Sequence, residues 1–135
     1  MALIEWDESY SVNVNLIDRQ HQKLFRYANV YQEAVEKGKS AGALRKLLDG
    51  LAEYATVHFS TEERYFTQFN FDGSEEHKRE HKILTAKIKD LNSKIKVGVN
   101  IEEDEVSKFL KIWLDAHIKG TDHKYIECFN KGGLR

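Results

Sequence analysis

The chain contains no proline, so nothing in it forces a helix to break and each helical pattern is free to run its length. Its one cysteine, Cys128, excludes an internal disulfide and fits a reducing compartment, with an ordinary packed or partly exposed thiol as the expectation. An excess of either charge is missing as well. The 21 basic and 22 acidic residues leave a net charge of −1, which gives no footprint for nucleic acid or for an anionic membrane surface. The opening residues, MALIEWDE, are acidic and broken by charge, unlike a signal peptide or a membrane anchor. The expectation is a cytoplasmic chain with no membrane insertion and no nucleic-acid partner. No repeat, low-complexity tract or linker interrupts the sequence, and 135 residues suit one core better than two, so residues 1–135 are expected to form a single domain.

What is present is helical periodicity. Residues 1–16 lack it and alternate Val12, Val14 and Leu16 with polar residues, which predicts an extended arm packed over the rest through Trp6 and Tyr10. From Asp18, read as an N-cap, the positions His21, Leu24, Phe25, Ala28, Tyr31 and Val35 follow helical spacing as far as Gly38. A second helix is predicted over roughly residues 41–69, and a third from a Ser74 cap to about Ile95, with Glu75 and Glu76 suiting its positive end. Asn100 with Glu103 resembles a capping box for a fourth, whose stripe is Val106, Phe109, Leu110, Trp113 and His117. A short amphipathic piece, His123 to Phe129, follows. Short connections imply antiparallel neighbours, so the expected fold is all-α: an antiparallel up-down-up-down four-helix bundle with an extended N-terminal arm.

The stripes carry the wrong residues for a plain core. His58 with Glu62, and His77 with His81, are spaced four apart, so each pair projects side by side from one helix face, and both pairs fall on the apolar stripe. His21 and His117 fall on the stripes of the first and fourth helices. One histidine on an apolar stripe is more often a hydrogen-bonded core residue than a ligand. Five of the six histidines there, with acids beside them, would be costly to bury unpaired, and a shared metal centre removes that cost. Two octahedral metals need about twelve ligand positions. Five imidazoles, two bridging carboxylates and one bridging hydroxide leave one position open, which on iron in a dry core suits a small neutral molecule such as dioxygen. Asp122 enters the set only if the chain leaves regular helix, because five residues on an ideal helix turn about 500° and would carry it about 140° from His117. Gly120 is the expected place, as a stop or at a π-bulge, with the next side chain, His123, turned away as a surface imidazole.

The motifs Trp6-Asp7, Ile17-Asp18-Arg19-Gln20-His21, His58-Phe59-Ser60-Thr61-Glu62-Glu63, His77-Lys78-Arg79-Glu80-His81 and Trp113-Leu114-Asp115-Ala116-His117, with Asp122 five further on, resemble the hemerythrin family, specifically its single-domain bacterial members. The resemblance covers essentially the whole chain. It implies a non-haem di-iron centre with His77, His81 and His117 on one iron, His21 and His58 on the other, and Glu62 and Asp122 bridging. It also implies two iron ions (Fe2+/Fe3+) joined by a hydroxide or oxide, with O2 bound reversibly at the two-histidine iron for oxygen transport, storage or delivery. Leu24, Phe59, Trp113 and Ile118 match positions that line the family's oxygen pocket, and each is equally compatible with plain core packing. The partners so implied are dioxygen and an oxygen-using enzyme as recipient, the chain being a monomer and not itself an enzyme.

Three rivals weigh less. His77-Lys78-Arg79-Glu80-His81 fits the H-x-x-E-H pattern of a zinc protease class with Glu80 as base, but that leaves four candidate ligands unexplained, and Glu80 is expected on a solvated face with Arg79 and Lys82. A ferritin-like oxidase would need Glu three residues before its histidines, which no histidine here has. An oxygen sensor needs an output domain, for which 135 residues leave no room.

Overall fold

Helices α1 (Asn15–Glu36), α2 (Ser40–Gln68) and α3 (Ser74–Lys96) are joined by short turns, and α4 (Glu103–Lys111) runs on as a π-helix, Ile112–Thr121. A 3-10 turn, Asp122–Tyr125, and the short α5 (Ile126–Lys131) complete the chain. This is a computed structural model, which describes residues 3–135, so Met1 and Ala2 of the expected arm lie outside the described residues. Among the described residues there is no strand, and no helix is long and apolar enough to cross a membrane. The architecture is the expected four-helix bundle. Gly38 and Gly98, at φ 71° and 77°, take the left-handed conformation just past α1 and α3, where a side chain would be strained.

The helix starts differ from the sequence expectation. Helix α1 begins at Asn15, three residues ahead of Asp18, and the Asp18 carboxylate reaches back from the first turn to accept from the Val12 N–H at 2.8 Å and the Ser11 hydroxyl at 2.6 Å. Asp18 therefore ties the arm down. Gly73, not Ser74, holds the N-cap of α3, and Glu102, not Asn100, that of α4, each without a side-chain cap. Glu75 and Glu76 in one first turn, and Glu103, Asp104 and Glu105 in the other, supply negative charge at the positive helix end instead.

The arm packs through the residues expected, but it is not extended throughout: Glu8–Tyr10 is a 3-10 turn, and Leu16, the last of the alternating set, falls in α1 and is exposed. Trp6 and Tyr10 meet the Phe25 ring edge-on at 5.4 and 4.8 Å, and Val12 and Val14 are buried while Asn13 between them is exposed. Two apolar clusters result. The larger includes Leu24, Leu48, Leu51, Ile88, Leu110 and Trp113. The smaller combines Val12, Val14 and Ile17 with Phe66, Tyr125 and Phe129. Helix α1 gives Ile17 to the second cluster and Leu24 to the first, with buried His21 between them, and α2 does the same with Phe66 and Ala55 on either side of His58 and Glu62. A buried polar layer thus lies between two apolar ones.

Candidate metal centre

Eight polar residues are buried among the described residues, and seven of them, His21, His58, Glu62, His77, His81, His117 and Asp122, form this layer. Four helices and the turn after the π-helix supply them. On α2 and α3 the four-residue spacing places each pair on one face, as expected. Bringing Asp122 onto the face of His117 takes a departure from regular helix, and the structure has one. The Asp122 N–H donates to the His117 carbonyl, a five-residue turn that brings the two side chains to the same face. Gly120 lies within this π-helix, as expected, but the widening neither starts at it nor needs a glycine there. A Cβ there would meet nothing within 4 Å, and the widened helix begins at Ile112, eight residues earlier.

The ligand atoms converge as two overlapping groups: Glu62, His77, His81 and His117 in one, and His21, His58, Glu62 and Asp122 in the other, with the atoms of each within 4.8 Å of one another. Both acids face both groups. Glu62 Oε1 lies 3.0 Å from His81 Nε2 and 3.3 Å from His58 Nε2. Asp122 places Oδ1 2.8 Å from His77 Nε2 and 3.2 Å from His117 Nε2, and Oδ2 3.1 Å from His21 Nε2. Despite these approaches, His77 Nε2, His117 Nε2 and both Asp122 oxygens have no hydrogen-bond partner. The atoms point at shared positions more than at each other. Buried polar atoms normally find partners, so this donor set of imidazoles and carboxylates fits a metal pair.

The charges agree. Burial and the neighbouring Asp122 push the Glu62 carboxyl up, but His58, His81 and His77 outweigh them and hold it at about 2. Burial likewise opposes ionisation of Asp122, yet His117, His21 and His77 hold it well below the usual range. Burial, helped by the neighbouring His21 and His81, outweighs Glu62 and Asp122 and lowers His58 to about 4, so its ring is neutral at neutral pH. His117 is buried too, but Asp122, Glu62 and Glu80 raise it to about 9.

Several residues at the centre were not foreseen. Gln20, Glu63 and Glu80 accept from the Nδ1 side of His58, His81 and His117 at 2.6, 2.7 and 3.2 Å. Glu80 is therefore only partly exposed and, unlike a free surface residue beside Arg79 and Lys82, is turned toward His117 and Thr121. Tyr125 donates to Glu62 Oε2 at 2.5 Å. His123 is half-buried rather than a surface imidazole, with a buried Nε2 that has no hydrogen-bond partner.

The four apolar candidates, Leu24, Phe59, Trp113 and Ile118, are all buried in the larger cluster. Phe59 stacks on His81 with centroids 3.9 Å apart and stands 5.6 Å from Trp113. Tyr54, absent from that set, stacks on His58 at 5.1 Å. On the opposite side Tyr125 stacks on His77 at 5.7 Å and Phe66 lies 4.8 Å from it. Aromatic rings close the layer from both ends, which keeps water from the polar atoms.

Comparison with known proteins agrees with this geometry. Residues 12–129 match the hemerythrin HHE cation binding domain. A hemerythrin-like protein of Naegleria gruberi is 36% identical over 120 residues, spanning 89% of this chain and 88% of its own length. The myohemerythrin of Riftia pachyptila is 35% identical over 120 residues with the same coverage, and a bacteriohemerythrin of Pseudomonas paraeruginosa is 25% identical over 128 residues, covering 95% and 82%. A crystal structure of wild-type hemerythrin superposes with a TM-score of 0.84 at 29% identity, covering 94% of this chain and 98% of that one. The chain belongs to the hemerythrin family.

Proposed function

We propose that this protein binds dioxygen reversibly at a non-haem di-iron centre, as a carrier, store or deliverer of oxygen rather than an enzyme. His77, His81 and His117 would hold one iron and His21 and His58 the other, and Glu62 and Asp122 would be shared between them, with a hydroxide or oxide completing the pair. The observation that carries this reading is that each carboxylate faces histidines of both groups, since a single metal would leave such sharing without purpose. When bound, an iron pair with one open position supplies reversible electron donation to dioxygen.

The chain's own residues set the conditions for that exchange. The five imidazoles are neutral ligands, so they add no negative charge that would stabilise iron oxidised beyond the ferric state. Leu24, Phe59, Trp113 and Ile118 form the apolar wall that admits a small neutral molecule and excludes water. Residues 1–135 act as one domain, a cytoplasmic monomer whose partners are dioxygen and an oxygen-using recipient enzyme. The direct test is iron content and the optical spectrum of the ferrous protein with and without oxygen. Two irons per chain and a colour that appears with oxygen and disappears on its removal are expected. Two bound zincs after iron-replete expression, or oxygen consumed without recovery, would overturn the reading.

A further inference from the structure

Three of the five converging imidazoles are held from behind, and the holds are chemically unequal. In the three-histidine group, His81 donates its Nδ1–H to Glu63 at 2.7 Å and His117 donates to Glu80 at 3.2 Å. In the two-histidine group, His58 donates to the neutral Gln20 carbonyl at 2.6 Å. Each hold crosses between helices. Glu63 of α2 grips a ring from α3, Glu80 of α3 grips a ring from the π-helix, and Gln20 of α1 grips a ring from α2. Two holds have anchors of their own: the Thr121 hydroxyl donates to Glu80 at 2.8 Å, and Gln20 donates to the Thr61 hydroxyl at 3.5 Å.

An imidazole that gives its Nδ1–H to a carboxylate gains electron density at Nε2 and becomes a stronger donor, and an amide carbonyl does this less because it carries no charge. Both carboxylates also stand directly behind rings that converge on the metal position, and their side chains are each 34% exposed. We infer that Glu63 and Glu80 are positioning residues that make the three-histidine position the tighter of two metal positions and the first to fill, while Gln20 leaves the two-histidine position the looser. This rests on the two-metal reading above.

Glu→Gln substitution keeps the acceptor and removes the charge, which separates the electrostatic effect from the geometric one. The experiment titrates metal-free protein with Co2+, following heat and visible absorption, in His58→Ala and, as a second background, His21→Ala, where only the three-histidine group keeps its full set. Glu63→Gln and Glu80→Gln should each weaken Co2+ binding there by about 10- to 100-fold, with the thermal midpoint of the metal-free protein unmoved. In the otherwise unaltered chain, Gln20→Glu should tighten the second binding step and narrow the gap between the two. Unmoved affinity in both Gln variants overturns the inference, as does an affinity loss matched by a fall in metal-free stability. A wild-type chain that takes up only one Co2+ instead overturns the two-metal reading, an outcome distinct from two ions bound with unmoved affinities.

Discussion

The Tyr125 hydroxyl donates to Glu62 Oε2 at 2.5 Å, while the other oxygen of that carboxylate faces His58 and His81. One acid is thus fixed from the aromatic cap and leaves its free oxygen to the histidines. Tyr125→Phe keeps the ring, which stacks on Phe129 with centroids 4.4 Å apart, and removes the donor to a buried charge. The expected cost is about 2 kcal/mol in urea unfolding of the metal-free protein, together with lower metal retention, because hydrogen bonds to charged groups are worth about 1.5–3 kcal/mol. Unchanged stability would mean that Glu62 is held by its histidines alone.

Asp122 and His123 are neighbours with opposite expected roles. The five-residue turn carries Asp122 inward to three histidines, while His123 meets no ligand atom of the layer among the described residues. Asp122→Ala is expected to lower metal stoichiometry from two toward one. His123→Ala is expected to leave both ions bound. Metal analysis after gel filtration reads both, and the reverse pattern would show the ligand assignment at this end to be wrong.

Which parts were legible in the sequence follows from how each signal is made. The bundle and the four ligands on α2 and α3 follow from apolar periodicity without proline, since a helix repeats its face every three to four residues. The His117–Asp122 spacing was legible as a misfit to ideal helix, but its origin was not, because the widening starts at Ile112 and no residue type marks it. Gln20, Glu63 and Glu80 sit beside ligands on half-exposed faces, where a polar residue ordinarily means contact with water. Their role arises only from what a neighbouring helix brings within reach. The helix starts were misplaced because capping residues are favoured rather than required, and acidic first turns supply the same electrostatic benefit.

Tyr54 stacks on His58, and its buried hydroxyl has no protein partner. Burial, with Glu62 and Asp122, raises its pKa well above the ordinary value, so the phenol stays neutral. Tyr54→Phe therefore removes an unpaired group and leaves the packing. Thermal unfolding should show stability unchanged or raised by about 1 kcal/mol, the order of the penalty for an unpaired buried hydroxyl. Tyr54→Ala should cost about 3–5 kcal/mol through the cavity it leaves. A destabilised Phe variant would show that the hydroxyl does make a stabilising bond.

Metal loading and pH are coupled through His58 and His117, whose shifts have opposite sign. In the metal-free protein His58 is lowered from 6.5 to about 4, so below pH 6.5 the unfolded chain binds a proton that the folded one refuses. Its contribution is present above pH 6.5 and is lost as pH falls toward 4. His117 is raised from 6.5 to about 9, so its contribution is present below pH 6.5 and is lost as pH rises toward 9. Metal-free protein should therefore be most stable near pH 6.5 and decline on both sides. A metal ligand must be unprotonated, so at pH 7 loading displaces the proton on His117 and none from His58. Loading should raise the thermal midpoint, release protons into weak buffer, and tighten as pH climbs from 7 to 9. Thermal scans of both forms from pH 5 to 9, with a pH-indicator dye during loading, check all three. A metal-free protein whose stability rises steadily to pH 9, with no proton released on loading, would show that Asp122 does not hold His117 in its charged form.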